Sequence, residues 1–189
     1  QRIVKKLRAA KLSNFSTVYA SSSGAKPEDF INYDPGPEYY EWVGYSWWGG
    51  DKDGQSALDF ARKVNKPVFI AEATPRGHFF DKEDPDEVWK KWFEKFFAHM
   101  EKNIDVVRAT SYINANWDAQ DMWDGWGQTR IETVPSIKTR WLQKMASPRY
   151  VNAADKPFEL IGFTKNSTPR NTIAGTYKDP SLSVQERVE

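Results

Sequence analysis

The chain has 189 residues and no cysteine, so it can bury a core without disulfides, and thiol catalysis and cysteine zinc sites are excluded. Lysine and arginine number 27 against 26 acidic residues, and the two signs alternate along the chain, which argues against nucleic acid as a partner. No apolar run of about 18 residues is present, so we expect no membrane span.

Strand and helix signals alternate along the chain. The first residues have helical spacing, with Ile3, Val4 and Leu7 on one side, so the sequence is predicted to begin inside a helix. Four strand segments follow, each ending in polar or glycine-rich residues. They are FSTVYA from Phe15, WVGYSWW from Trp42, PVFIAEA from Pro67 and VVRATSYINA from Val106.

Helices are predicted between and after the later strands. GQSALDFARKVNK has a helical apolar stripe, and VPSIKTRWLQKM supplies a final helix. A third helix starts at the N-cap Asp84, with Pro85 at its first position and Glu87 in its first turn. Its apolar face is predicted to pack in the core rather than to bind a ligand, and consists of Trp89, Trp92, Phe93, Phe96, Phe97 and Met100.

This alternation predicts an α/β protein with a parallel sheet covered by helices. No loop matches the glycine-rich phosphate turn of a doubly wound sheet, whereas long loops follow three of the strands, as in a (β/α)8 or TIM barrel. Four strands make only about half of such a barrel, so we predict a partial barrel over residues 1–147. Residues 148–189 are predicted to be a C-terminal extension, with KPFELIGF as a short strand or linker before a tail.

Glu72 stands out because it ends an apolar strand, where a carboxylate is costly to bury unless it is paired. Alternation predicts that Val68, Ile70 and Glu72 share one face of the strand. The carboxyl end of a barrel strand is where catalytic groups project, so catalysis is the favoured role. A glutamate paired with Arg76 at the surface is the alternative.

Several motifs resemble a known family of enzymes. WVGYSWWGG, KPVFIAEATPRG, SYINANWDAQDMW and WGQTRIETVPSIKTRW resemble the sixth, seventh and eighth strands of clan A glycoside hydrolases, and are most similar to the family 26 type of β-mannanases and related endoglycanases. The resemblance covers about residues 1–147 and is most specific at Trp117, Trp126, Gly127 and Arg130. It implies that the chain holds barrel strands five to eight, and it favours a secreted or periplasmic protein.

The same resemblance assigns Glu72 as the nucleophile of a retaining mechanism. The second glutamate of that mechanism comes from strand four, which would precede Gln1, so the chain alone is expected to be weakly active or inactive. Asp51, Asp53, Asp118 and Asp121 follow strands, but none matches the position of the family's acid.

Aromatic and amide side chains after the second and fourth strands predict a sugar-binding surface, because pyranose rings have apolar faces and hydroxyl edges. The candidate substrate-binding residues are Trp47, Trp48, Tyr112, Asn114, Asn116, Trp117 and, in the loop after Glu72, His78. Adjacent strand residues point to opposite faces, so one of Trp47 and Trp48 is expected in the core. His78 is expected to bind a sugar hydroxyl, to orient Glu72 or to be solvated.

Two isolated histidines do not make a metal site, and we expect no cofactor. The predicted function is hydrolysis of a β-linked polysaccharide such as mannan or glucan by an endo-acting retaining enzyme. The alternatives are a non-catalytic carbohydrate-binding protein and a self-assembling half barrel, in which two copies form a homodimer. The expected partners are therefore the polysaccharide and either a second copy of the chain or the N-terminal half of the barrel. Ala20 and Ser21 stand where relatives commonly have an aromatic residue and a histidine, so the sugar stays open.

Overall fold

The structure is a computed structural model that describes residues 1–152 and Lys156. Its main sheet has four strands that lie side by side in chain order, and every neighbouring pair is parallel. The strands are β1 (Val18–Ser21), β2 (Trp42–Trp47), β3 (Val68–Ala73) and β5 (Val107–Tyr112). The four predicted strands and the parallel α/β arrangement are therefore confirmed.

Helices precede the first strand, connect the strands and follow the last one. They are α1 (Arg2–Ala9), α2 (Pro27–Asn32), α3 (Gln55–Val64), α4 (Pro85–Val88), a π-helical segment (Trp89–Phe93), α5 (Glu94–Lys102) and α6 (Pro135–Met145). Asp84 caps α4 as predicted, since its Oδ1 accepts a hydrogen bond of 2.8 Å from the Asp86 backbone N–H. Among the described residues, no helix combines the length and the apolar character needed to cross a membrane.

Two short strands near the ends of β3 and β5 were not predicted. They are β4 (His78–Phe79) and β6 (Gly127–Gln128), which pair in parallel as a separate two-stranded sheet. The chain divides into two compact units, Gln1–Trp141, which holds both sheets, and Leu142–Glu189. The expected strand in KPFELIGF and the tail beyond it lie outside the described residues.

The core lies between the main sheet and the helical run that contains the π-helical segment. Trp47 of β2 is 2% exposed, and its ring centroid lies 5.2 Å from that of Trp92. Tyr45 contacts α5 through His99. All six residues of the predicted apolar face are buried, so their predicted role in the core is confirmed. We call this side of the sheet the helix side.

A β-bulge in β3 changes the face on which its last residues lie. Tyr45 of β2 pairs with Ile70, but the next residue, Ser46, pairs with Glu72, so Ala71 is an extra residue in β3. The β5 side has the same irregularity between Ile70 and Ala73. The expectation that Glu72 shares a face with Val68 and Ile70 is wrong, because an extra residue reverses the alternation. Glu72 lies on the face opposite the helix side, with Ser46.

The face opposite the helix side carries small or partly exposed side chains. Val18 is 37% exposed, Ala20 is exposed, and Phe69 and Ala109 are half-buried. Gly44 on this face lies so close to β1 that an added Cβ would meet Val18 Cγ1 at 2.6 Å. Within the described part of the chain, β1 and β5 each pair with a single strand of the sheet and are therefore its edges.

Gly127 lets β6 approach β4, which predicts that a side chain there destabilises the protein. Its φ is +96°, and an added Cβ would lie 2.0 Å from the His78 carbonyl oxygen. Gly125 also has a positive φ, +79°, but an added Cβ meets nothing within 4 Å. We expect Gly127→Ala to lower the free energy of unfolding by about 1–3 kcal/mol more than Gly125→Ala, as measured by urea denaturation. Equal losses would contradict the close approach.

His99 predicts a pH dependence of stability. The Tyr45 hydroxyl lies 2.6 Å from His99 Nε2. Burial lowers the pKa of His99, with Asp53 opposing and Lys102 reinforcing the shift. As the pH falls, the unfolded chain therefore binds a proton at His99 before the folded protein does, at about pH 6.5. The contribution of neutral His99 to stability is complete above that pH and is lost as the pH falls below it.

The corresponding measurement is urea denaturation of the protein between pH 7.5 and 5. His99→Gln should flatten the dependence of the unfolding free energy on pH in this interval, whereas His78→Gln should leave the part due to His99 in place. An unchanged slope in His99→Gln would show that His99 titrates alike in both states.

Candidate active site

Glu72 emerges at the carboxyl end of β3, on the face opposite the helix side. Its side chain is exposed, and Ser46 Oγ donates a hydrogen bond of 2.8 Å to its Oε2. Arg76, the alternative partner, lies instead over the ring of Trp126, with its guanidinium carbon 4.3 Å from the ring centroid. Among the described residues, no lysine, arginine or histidine forms an ion pair with Glu72.

Four indole rings from the loops after β2 and β5 meet in one cluster. The Trp126 centroid lies 5.7 Å from Trp48, 5.2 Å from Trp117 and 4.7 Å from Trp123. We call these four residues the tryptophan cluster. Trp48, Trp123 and Trp126 are half-buried, whereas Trp117 is 9% exposed. Partly exposed aromatic rings in such a group can stack on the apolar face of a sugar.

The Trp48 backbone is held by two hydrogen bonds. Its N–H donates to Asp53 Oδ2 at 2.9 Å, and its carbonyl accepts from Trp92 Nε1 at 3.1 Å. Trp92 belongs to the π-helical segment, which packs in the core. The core therefore fixes the backbone of Trp48 in the loop after β2. Trp48 is thus the half-buried member of the Trp47–Trp48 pair.

Two predicted substrate-binding residues belong to the core instead. Trp47 is 2% exposed and packs on the helix side, as expected for one of the two adjacent tryptophans. Tyr112 packs on Trp92 and Phe93, and its hydroxyl donates a hydrogen bond of 2.7 Å to the Thr129 carbonyl. The assignment of both residues to the sugar surface is corrected, because their strand positions direct them to the helix side.

The two predicted asparagines lie in the long loop after β5. Asn114 Oδ1 accepts from the Ile131 N–H at 2.8 Å, and its Nδ2 donates to Glu132 Oε2 at 2.7 Å. This bond lowers the pKa of the Glu132 carboxyl. Asn116 is half-buried and forms an isolated antiparallel bridge with Gln128. Asn114 therefore holds the loop together, and binding of sugar by either residue stays a prediction.

His78 does not orient Glu72. Its Nδ1 lies 2.9 Å from Glu83 Oε2, and Glu83 also accepts a hydrogen bond of 2.5 Å from the Phe79 N–H. The histidine and glutamate thus brace β4 and the turn that follows it. The expectation that His78 orients Glu72 is therefore wrong. Its binding of a sugar hydroxyl stays a prediction.

A buried pair of threonines, which sequence analysis missed, joins β3 to the loop after β5. Thr74 Oγ1 lies 3.1 Å from Thr129 Oγ1, and both residues are fully buried. Thr74 also donates to the Ile113 carbonyl at 3.3 Å and accepts from Trp117 Nε1 at 3.4 Å. No sequence pattern identifies this contact, because its partners are 55 residues apart.

The aspartates that follow the strands support loops. Asp53 Oδ2 accepts from two backbone N–H groups, those of Trp48 and Gly50, at 2.9 and 3.0 Å. Asp118 Oδ1 accepts from the Gly127 N–H at 2.8 Å. Asp51 is exposed, and its Oδ1 lies 3.9 Å from Lys95 Nζ. Within the described residues, no three histidine, aspartate or glutamate side chains gather as metal ligands.

Comparison with known proteins found no matching family model, but it found similar sequences and structures. The chain is 29% identical to a β-1,3-xylanase, TXYA, from a Vibrio species and 30% identical to a β-1,3-xylanase from an Alcaligenes species. Each similarity covers 79% of this chain and 38% of the relative. The chain thus spans about two fifths of the length of the curated relatives it matches.

Solved structures also resemble this chain in fold. The protein GH26C from a Muricauda species superposes with a TM-score of 0.56 at 14% identity, over 82% of this chain and 42% of the other. A Cellulomonas fimi endo-β-1,4-mannanase of glycoside hydrolase family 26 gives 0.54 at 17%, over 80% and 35%. The chain resembles family 26 glycoside hydrolases. The resemblance inferred from the sequence motifs is confirmed at the level of fold.

The Thr74–Thr129 contact predicts opposite effects for two threonine-to-valine substitutions. Thr74→Val removes the hydroxyl that bonds Thr129 and Ile113 and leaves the Trp117 indole without its acceptor, so we expect a loss of about 1–3 kcal/mol. Thr110 Oγ1 is also buried, but it has no hydrogen-bond partner within the described part of the chain. Thr110→Val should therefore be neutral or stabilising.

Thermal and urea unfolding of both variants measure this difference, and tryptophan fluorescence of Thr74→Val should report a looser tryptophan cluster. Equal destabilisation by the two substitutions would contradict a special role for Thr74.

Proposed function

We propose that the chain forms strands five to eight of a (β/α)8 barrel in a retaining glycoside hydrolase. Three observations support this proposal: the strands are parallel and in sequence order, β1 and β5 are edges, and the face opposite the helix side carries small or partly exposed side chains. In a closed barrel, that face lines the interior and both edges pair with further strands. The preceding strands of the same enzyme are the proposed partner of this face.

The observation that carries the catalytic assignment is the position of Glu72. It ends a parallel strand, lies on the proposed interior face and has the Ser46 hydroxyl as its hydrogen-bond partner. A carboxylate that is exposed and held by a neutral donor stays available to attack an electrophilic carbon. Glu72 is therefore proposed as the nucleophile, and the tryptophan cluster as the surface that stacks on neighbouring sugar units.

A retaining reaction needs a second carboxylic acid about 5–5.5 Å from the nucleophile. Asp53 and Asp118 accept backbone hydrogen bonds that maintain the loops, so neither is proposed for this role. We assign it to a carboxylic acid on the preceding strands of the barrel. That group protonates the departing oxygen while Glu72 bonds to the anomeric carbon, and it then activates the water that releases the sugar.

The proposed substrate is a β-linked polysaccharide, and β-1,3-xylan is the first to test. The relatives named β-1,3-xylanases are 29% and 30% identical to this chain, whereas the family 26 mannanase is 17% identical and supports the fold alone. The exposed Ala20 and half-buried Ser21 at the end of β1 would leave room for substrate on that side of the site. Mannan serves as the comparison substrate.

The nucleophile assignment is tested by substitution in the barrel completed with its preceding strands. We expect Glu72→Gln to lower kcat on β-1,3-xylan by about 10⁴-fold or more, because no group remains to form the glycosyl-enzyme. In Glu72→Ala, added azide should attack the anomeric carbon in the vacated space and give a glycosyl azide of inverted configuration. Reducing-sugar release measures the first outcome, and mass spectrometry with proton NMR identifies the azide product and its anomeric configuration.

The control variant is Glu101→Gln, an exposed glutamate of α5, which should retain full activity. Hydrolysis that survives Glu72→Gln would overturn the assignment. A wild-type protein that binds xylan but releases no sugar would instead identify a non-catalytic carbohydrate-binding protein, an alternative that the tryptophan cluster also fits.

A further inference from the structure

Within the described part of the chain, Ser46 is the one residue whose side chain forms a hydrogen bond with the carboxylate of the proposed nucleophile. Its hydroxyl donates to Glu72 Oε2 at 2.8 Å, an ordinary distance for a hydroxyl and a carboxylate. Ser46 is half-buried, at the last position but one of β2, whereas the Glu72 side chain is exposed. One carboxylate oxygen is therefore held from the neighbouring strand β2, whereas Oε1 accepts no side-chain hydrogen bond from the described residues.

The contact depends on the β-bulge at Ala71. Without the extra residue, Ser46 would pair with Ala71, and Glu72 would pair with Trp47 on the helix side. The bulge instead puts Ser46 and Glu72 side by side on one face, with their side chains close enough to bond. Bulges often re-aim a side chain next to a functional site, and here the new neighbour is a hydrogen-bond donor.

We propose, on the basis of the proposed function, that Ser46 is the positioning residue of the Glu72 nucleophile. Its hydroxyl holds Oε2, so Oε1 is the oxygen that attacks the anomeric carbon. The hydrogen bond also limits the rotation of the exposed carboxylate, which keeps Oε1 in the orientation needed for attack.

The two chemical steps use this hydrogen bond differently. In the first step, Oε1 bonds to the anomeric carbon, the glycosidic C–O bond breaks, and its electron pair goes to the leaving oxygen, which takes the proton of the second carboxylic acid. Oε2 then becomes the carbonyl oxygen of an ester, which accepts a hydrogen bond less strongly than a carboxylate does.

In the second step, water attacks the anomeric carbon and gives its proton to the second carboxylate, while the bond to Oε1 breaks and its electron pair returns to Glu72. The re-forming carboxylate regains the full strength of the bond from Ser46. Ser46 therefore stabilises the leaving group of this step, and its loss slows release of the sugar from the enzyme more than it slows attack.

The test compares wild type, Ser46→Ala and Ser46→Thr in the barrel completed with its preceding strands. The substrate is a dinitrophenyl glycoside of a short β-1,3-linked xylose oligosaccharide, if β-1,3-xylan is the polysaccharide that wild type cleaves. We expect Ser46→Ala to lower kcat by about 10- to 100-fold, the loss of one hydrogen bond to a charged group. The KM should fall as well, and a burst of dinitrophenol should precede the steady state because the glycosyl-enzyme accumulates. Ser46→Thr keeps the hydroxyl and should restore kcat and abolish the burst.

The matched control is Ser56→Ala, the same substitution at a half-buried serine of α3, away from the face that carries Glu72, which should leave kcat and KM unchanged. A Ser46→Ala variant with wild-type kcat, or with a lower kcat and no burst, overturns the positioning role. Glu72→Gln separates this result from failure of the proposed function. If Glu72→Gln still hydrolyses substrate, the function itself is wrong; if it is inactive, only the role of Ser46 is in question.

Discussion

The extra residue in β3 is the constraint on which the candidate site depends. Tyr45 and Ile70 pair on the helix side, but Ser46 meets Glu72 one pair later because Ala71 is accommodated by the bulge. A regular strand would bury the carboxylate against indole and phenyl rings, where an unpaired charge costs several kcal/mol. The bulge avoids this cost by turning the carboxylate to the opposite face of the sheet. Glu72 also lies at the carboxyl end of a parallel strand, which is where catalytic groups project in barrel folds.

The aromatic core on the helix side supports that edge of the sheet. Trp47, Trp92 and Phe96 pack with ring centroids 5.0–5.3 Å apart, so the position of β2 is tied to the helical run behind it. Trp92 also reaches the loop through its hydrogen bond to the Trp48 carbonyl. The same helical run thus stabilises the fold and holds the backbone of Trp48, whose ring belongs to the tryptophan cluster.

The long loop after β5 is tied to the end of β3 by polar and aromatic contacts together. The buried hydroxyls of Thr74 and Thr129 meet at 3.1 Å, and Trp117 donates its indole N–H to Thr74. Around this contact, Trp48, Trp123 and Trp126 form the half-buried part of the tryptophan cluster. A loop that is anchored in this way can present aromatic rings to a ligand with little loss of conformational entropy on binding.

Much of the architecture follows from local sequence signals. The 2.0 and 3.6 periodicities predicted the four strands and the main helices, and the Asp84–Pro85 pair predicted where α4 begins. The short strands β4 and β6 escaped prediction, because two residues carry no periodic pattern and their pairing depends on a glycine contact with His78 across the fold. Glu72 was identified by its unusual place at the end of an apolar strand.

The sequence by itself determined the order of the elements, the parallel α/β class, the apolar face of the helical run and the choice of Glu72, since all of these depend on residue type and spacing along the chain. Only the tertiary structure decided which face carries Glu72, that Trp47 and Tyr112 belong to the core, and that Ser46, Thr74 and Trp92 support the site. The physical reason is that register shifts and side-chain hydrogen bonds join residues far apart in sequence, and these are set by packing between strands.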